Sequence, residues 1–142
     1  MRGRGFTLVE TVMALSLAGF LVYGGVYSFQ RLIPKFHLQS GLWQVTSGLN
    51  QARFRAVWSG APVRVRFVPA GFVFERHDAA AGVWRTARTA VLEGVTVRAN
   101  NSPIFHPQGT VSSLATITVS NSHGTFRITV AITGRIRTTR VT

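Results

Sequence analysis

A single carboxylate, Glu10, stands at the start of an apolar stretch, and the 20 residues from Thr11 to Gln30 that follow carry no formal charge. A carboxylate at the edge of an apolar helix is costly to bury alone and calls for a cationic partner. The chain offers a way to make one. Gly5, a small residue, precedes the apolar stretch and ends a short basic leader that holds Arg2 and Arg4. An ordinary secretory signal is cut at small residues after its apolar region. A cut between Gly5 and Phe6 would instead keep the apolar segment and liberate the amine of Phe6 near Glu10. Two plainer readings stand beside this one: a signal anchor with basic residues inside, and a first-turn acid favoured by the helix dipole.

A second constellation lies at the other end, in Gly134-Arg135-Ile136-Arg137-Thr138-Thr139-Arg140, with three arginines within six residues. On an extended strand Arg135 and Arg137 point to one side and Ile136 to the other. Gly134 allows a tight turn or a close backbone approach to a ligand. Guanidinium groups form paired hydrogen bonds with phosphates and carboxylates. A last strand with alternating arginines is equally compatible with a solvated face.

Little else in the chain could do chemistry. His37, His77, His106 and His123 lack metal-ligand spacing, and there is no cysteine, hence no thiol nucleophile or disulfide framework. Only four acids are present, one of them Glu10, which argues against a paired-carboxylate site. His77-Asp78 falls in an expected turn, and neither a P-loop nor a dinucleotide fingerprint occurs. Trp84 and Phe105 suit a core or a subunit contact better than cofactor stacking. The expectation is a non-enzyme with no cofactor, no metal and no small-molecule substrate.

The charge is lopsided, with 16 basic side chains against four acids and a formal charge of +12. Loss of Arg2 and Arg4 with the leader leaves 14 basic side chains against the same four acids, or +10. Only Lys35 is a lysine. Arg76, Arg85, Arg88 and Arg98 make an arginine-rich middle. Such a surface suits polyanions, although solubility alone would also account for it.

These groups need elements to hold them. Twenty uncharged residues in a helix span about 30 Å, the thickness of a bilayer core. Arg31 and Lys35 follow the stretch, so the flanking charges nearly balance. Apolar residues then recur at three- to five-residue spacing (Leu38, Leu42, Val45, Leu49, Ala52, Val57), which predicts an amphipathic helix to about Trp58. Ser59-Gly60 stops it, and Pro34 is a candidate kink. Gly24-Gly25 weakens the first half. Beyond Ala61 the period becomes two. Val63, Val65 and Phe67 alternate with Arg64 and Arg66, and Pro69-Ala70-Gly71 turns the chain into Phe72 and Phe74. Further strands are expected at 83–89, 91–98, 115–120 and 125–132, with Ser120 to Gly124 as a turn. The fold class is α+β: a long N-terminal helix, membrane or filament stalk, packed against an antiparallel β-sheet head.

The run Gly5-Phe6-Thr7-Leu8-Val9-Glu10 resembles the type IV prepilin family, whose leader ends in Gly before Phe-Thr-Leu-(Val/Ile)-Glu. Three features of the head resemble the GspH/FimT-type pseudopilins and minor pilins. They are Leu49-Asn50-Gln51-Ala52-Arg53 before Gly60-Ala61-Pro62-Val63, then Ile104 to Gly109, then Gly134-Arg135-Ile136-Arg137. The arginine-rich middle matches no family feature, and the proline common near Gly24 in pilins is missing.

The resemblance implies a leader over residues 1–5, a membrane and filament-core half-helix over 6–33, and an amphipathic half-helix plus β-sheet head over 34–142. It implies cleavage between Gly5 and Phe6 by a prepilin peptidase and N-methylation of Phe6. Glu10 would pair with a neighbouring subunit's N-terminal amine and set axial register. The expected place is the bacterial inner membrane, single-pass, with the head in the periplasm, and later a pilus or pseudopilus. Partners would be other pilins or pseudopilins, the prepilin peptidase and the inner-membrane assembly platform. The function implied is a structural subunit that primes or caps a type IV pilus or type II secretion pseudopilus. In some family members Gly-Arg-X-Arg binds double-stranded DNA for natural transformation, and here Gly134, Arg135 and Arg137, with Arg140 beyond, would carry that alternative.

Overall fold

A computed structural model describes residues 7–141, apart from the side chains of residues 26–28, 30 and 31. Gly5 and Phe6 lie outside the described residues. The described residues form one long helix, α1 (Leu8–Ser59), and nine strands, and the chain divides into two compact units at the Ile33–Pro34 junction.

In the first unit Thr7 caps the helix. Its Oγ1 accepts from the Glu10 N–H at 3.3 Å, and Thr11 Oγ1 donates to its carbonyl. Thr-x-x-Glu at this place is the capping-box spacing. Leu8–Gly25 is long and apolar enough to cross a membrane, with a mean hydropathy of 1.6 and no residue buried within the chain. Leu8, Met13, Phe20 and Tyr23 are all exposed.

The second unit is built around the helix from Pro34 to Ser59. Leu38, Gly41, Val45, Leu49, Ala52 and Ala56 are buried at the three-to-four-residue spacing of one helical face. Gly60 ends the helix at φ +62°, the left-handed C-cap position that glycine tolerates best. Two antiparallel sheets cover this face. The first has the order β3 (Val83–Val91), β2 (Gly71–Asp78), β1 (Val63–Val68), β5 (Ile104–Phe105), β6 (Val111–Ser112). The second runs β4 (Thr96–Ala99), β7 (Thr116–Asn121), β8 (Gly124–Val130), β9 (Ile136–Val141). Val65, Phe72, Phe74 and Phe105 from the first sheet meet Val97, Ile117, Val119, Ile128 and Val130 from the second in one core with the helix.

The α+β reading of the sequence holds, with one change of layout. The stretch 91–98, expected as one strand, is divided. Val91 ends β3, Leu92 turns inward, and Gly94 at φ +66° packs so closely on His37 that an added Cβ would lie 2.7 Å from its ring. Only from Thr96 does the chain extend again, now in the second sheet. Asn121 fastens the helix to this corner, its Nδ2 donating to the Pro34 carbonyl at 2.6 Å and to the Gly94 carbonyl at 3.3 Å.

Glu75 is a buried acid on β2, and Arg64 and Arg66 of β1 both donate to it, at 2.6 and 2.9 Å. Arg64 also lies 4.5 Å above the Trp84 ring of β3, so one guanidinium ties three strands together. Burial pushes the Glu75 carboxyl up, but the hydrogen bonds and charges of Arg66 and Arg64 outweigh it and hold the group below its ordinary value of 4.5. A depressed folded-state value means stability that is complete above the unfolded value and fades as pH falls through the folded one. Glu75→Gln should therefore cost about 2 kcal/mol at pH 7. Urea titrations from pH 7 to 3 should show the wild type's advantage over this variant shrinking below about pH 5.

Candidate functional site

Glu10 lies on the exposed first unit of α1, in its first turn. Among the described residues no ion pair involves it. The geometry gives it helix-dipole stabilisation and a capping position, and it leaves the carboxylate open to a group from outside the described chain.

The C-terminal motif is split by the fold. Gly134 is buried, at φ +75°, in the turn between β8 and β9. Its N–H donates to the Ala131 carbonyl, and the Ala131 N–H donates to the Arg135 carbonyl. A Cβ at this position would stand 2.7 Å from the Gly109 carbonyl oxygen and 2.8 Å from Arg53 Nε. Gly134 therefore serves as a packing point where the helix, the β5–β6 turn and the β8–β9 turn converge. Arg135 and Arg137 are exposed. Arg137 pairs with Thr129 across the ladder and so shares its outward face. Arg140 pairs with Phe126 and belongs to the opposite face. Arg135 precedes the first residue of β9, so the structure separates Arg140 from Arg137 by strand alternation and leaves Arg135 exposed at the end of the turn.

The arginine-rich middle also divides. Arg85 pairs with Asp78 at 2.8 Å, and Asp78 Oδ1 accepts from Ala80 and Ala81; His77 and Asp78, expected in a turn, are instead the last residues of β2, paired with Trp84 and Val83, and the turn starts after them. Arg76 and Arg88 are exposed on the first sheet, whereas Arg98 sits on β4 in the second. Sequence reasoning missed the structural work of Arg53, Arg64 and Arg66. The signal for the last two was present, since they alternate with buried Val63 and Val65 on a strand paired with Glu75.

The histidines serve locally. His77 meets Trp84 edge-on at 5.1 Å, His106 Nε2 bonds Ser112 Oγ at 2.8 Å, and the His123 N–H donates to Asn121 Oδ1. Phe105 is fully buried in the core, and Trp84 is half-buried beneath Arg64. Among the described residues no group of three metal-binding side chains occurs. The helix instead presents aromatics: Trp43, Phe54 and Trp58 are exposed, and Phe54 stacks on Trp58 at 6.1 Å.

No family model matches the chain, and no curated protein matches it in sequence. Its fold does match solved structures. A structure of the minor pseudopilin EpsH from the type II secretion system of Vibrio cholerae superposes with a TM-score of 0.63 at 15% identity, over 76% of this chain and 96% of that one. A second EpsH structure gives 0.58 at 18% identity, over 75% and 95%. The type IV minor pilin FimU of Pseudomonas aeruginosa gives 0.60 at 17% identity, over 72% and 88%. The likeness at these identities is one of fold, and the fold is pilin-like.

The packing at Gly134 has a direct consequence. Gly134→Ala should lower stability by about 2 kcal/mol or more, through a left-handed backbone and a backbone clash. Arg135→Gln, on an open surface, should change it by less than about 0.5 kcal/mol. Denaturant titration of the detergent-solubilised chain checks both.

Proposed function

We propose that this chain is a minor pilin or pseudopilin, a structural subunit that primes or caps a type IV pilus or type II secretion pseudopilus. The observation that carries this reading is a pilin-like head whose helix is preceded by an apolar segment, Leu8–Gly25, in which no residue is buried among the described residues. Apolar side chains left open contribute about 25 cal/mol for each Å² that lipid or neighbouring subunits later remove from water. The same segment can therefore rest in the inner membrane and then pack into a filament core, with the head in the periplasm. The prepilin motif supports removal of residues 1–5 by a prepilin peptidase, N-methylation of Phe6 and extraction by the platform protein.

In that core Glu10 needs a cation. An unpaired carboxylate in apolar surroundings is strongly disfavoured, so the N-terminal amine of an adjacent subunit both neutralises it and sets the axial step. The exposed Trp43, Phe54 and Trp58 offer further area for neighbouring subunits to cover.

A second reading, binding of double-stranded DNA for uptake, is favoured by one observation. Arg135 and Arg137 are both exposed, two residues apart where the β8–β9 turn runs into β9. Guanidinium contacts to phosphate would give affinity without sequence choice.

Two experiments test these readings. Glu10→Val should leave membrane insertion intact and abolish recovery of the subunit in sheared filaments; recovery at the wild-type level would sink the assembly role. Arg135→Gln with Arg137→Gln should weaken duplex binding by about tenfold or more at 0.1 M salt, since two phosphate contacts are lost. Unchanged retention in a gel shift would reject that role for the motif.

A further inference from the structure

The strand register builds a surface that the C-terminal motif does not contain. Arg98 of β4 pairs with Thr118 of β7, Thr118 with Arg127 of β8, and Arg127 with Thr139 of β9. Directly paired residues share a face, so Arg-Thr-Arg-Thr runs as one row across the whole second sheet. The next row is Thr116, Thr129 and Arg137. Burial alternates accordingly. Val97, Val119 and Ile128 face the core, while Arg98, Arg127, Thr129 and Arg137 are exposed. An open groove of about 680 Å³ lies over this face, lined in part by Arg98, Asn100, Thr118 and Arg127.

Charge on this face is uncompensated. The four acids are Glu10 on α1, Glu75 and Asp78 on β2, and Glu93 before β4, so no strand of the second sheet holds one. Among the described residues every ion pair lies on the first sheet. Arg98 and Arg137 are three strand spacings apart, roughly 15 Å. Duplex DNA carries about nine phosphate charges over such a length, enough for all three arginines to engage one molecule. The outward rows hold no aromatic side chain, since Phe126 belongs to the opposite face with Arg140. A surface for single strands would need stacking platforms, so the chemistry here favours the backbone of a duplex.

We propose that the outward face of the second sheet, centred on Arg98 and Arg127, binds the phosphate backbone of double-stranded DNA, with Arg137 at its C-terminal border. This rests on the DNA reading above and extends it to two arginines from distant parts of the chain. The threonine hydroxyls between them add hydrogen bonds to phosphate oxygens, and nothing on the face reads a base.

The test is fluorescence anisotropy of a labelled 30-base-pair duplex with the full chain in non-ionic detergent, from 50 to 300 mM NaCl. Arg98→Gln with Arg127→Gln should lower affinity about tenfold or more at 0.1 M salt and reduce the log–log salt slope by about 2, equally for unrelated sequences. Arg76→Gln with Arg88→Gln removes the same charge from the first sheet and should change the slope by less than half as much. Equal losses from the two pairs, or an unchanged slope for the Arg98 and Arg127 pair beside a binding wild type, overturn this site alone. Tighter binding of a single strand overturns the duplex assignment. A wild type that does not bind duplex at 50 mM salt overturns both this site and the DNA reading beneath it.

Discussion

One helical face has to serve two sheets, and the close approach this requires organises the head. At Gly48 an added Cβ would stand 2.6 Å from the Phe72 ring, and at Gly41 it would stand 2.9 Å from a Val95 methyl group. Ala52 and Ala56 continue the narrow strip, fully buried. Small residues on the helix leave room for large ones on the strands, so Phe72, Phe74 and Phe105 fill the space that a bulkier helix would occupy. A close-packed interior tolerates few other divisions of the same volume. The second sheet then takes its place on Val97, Ile117, Val119, Ile128 and Val130, and its outward residues follow from strand alternation.

The same arrangement distributes charge. A chain with so few acids cannot neutralise its arginines, so where the acids lie decides which arginines are structural. Glu75 and Asp78 both fall on β2, where they engage Arg64, Arg66 and Arg85. Among the described residues ion pairing is thereby confined to the first sheet, and the second keeps its guanidinium groups open to solvent. At the other end of the chain a single acid, Glu10, stands in the first turn of an apolar helix and has no ion-pair partner among the described residues.

Much of this was legible from residue order. The helix from Leu38 to Trp58 follows from its apolar spacing, and the β1–β2 hairpin follows from alternation on both sides of Pro69-Ala70-Gly71. The strands at 115–120 and 125–132 lie within one or two residues of β7 and β8. The stretch 91–98 misled, because β-branched composition suggested continuity where Gly94 bends the chain against His37. Strands β5 and β6 have two residues each, too short for any period to show. At the candidate site, the sequence identified Gly134, Arg135 and Arg137 as neighbours without revealing that Gly134 is a packing point against Gly109 and Arg53.

Local order alone set the expectation of how this protein is mounted: an apolar stretch, two arginines before a glycine–phenylalanine junction and a first-turn acid are all properties of adjacent residues. The grouping of Arg98, Arg127 and Arg137 was decided only by tertiary structure. Their separations in the chain carry no trace of it, because cross-strand neighbours are set by ladder register, and register is set by which face of each strand the core must bury.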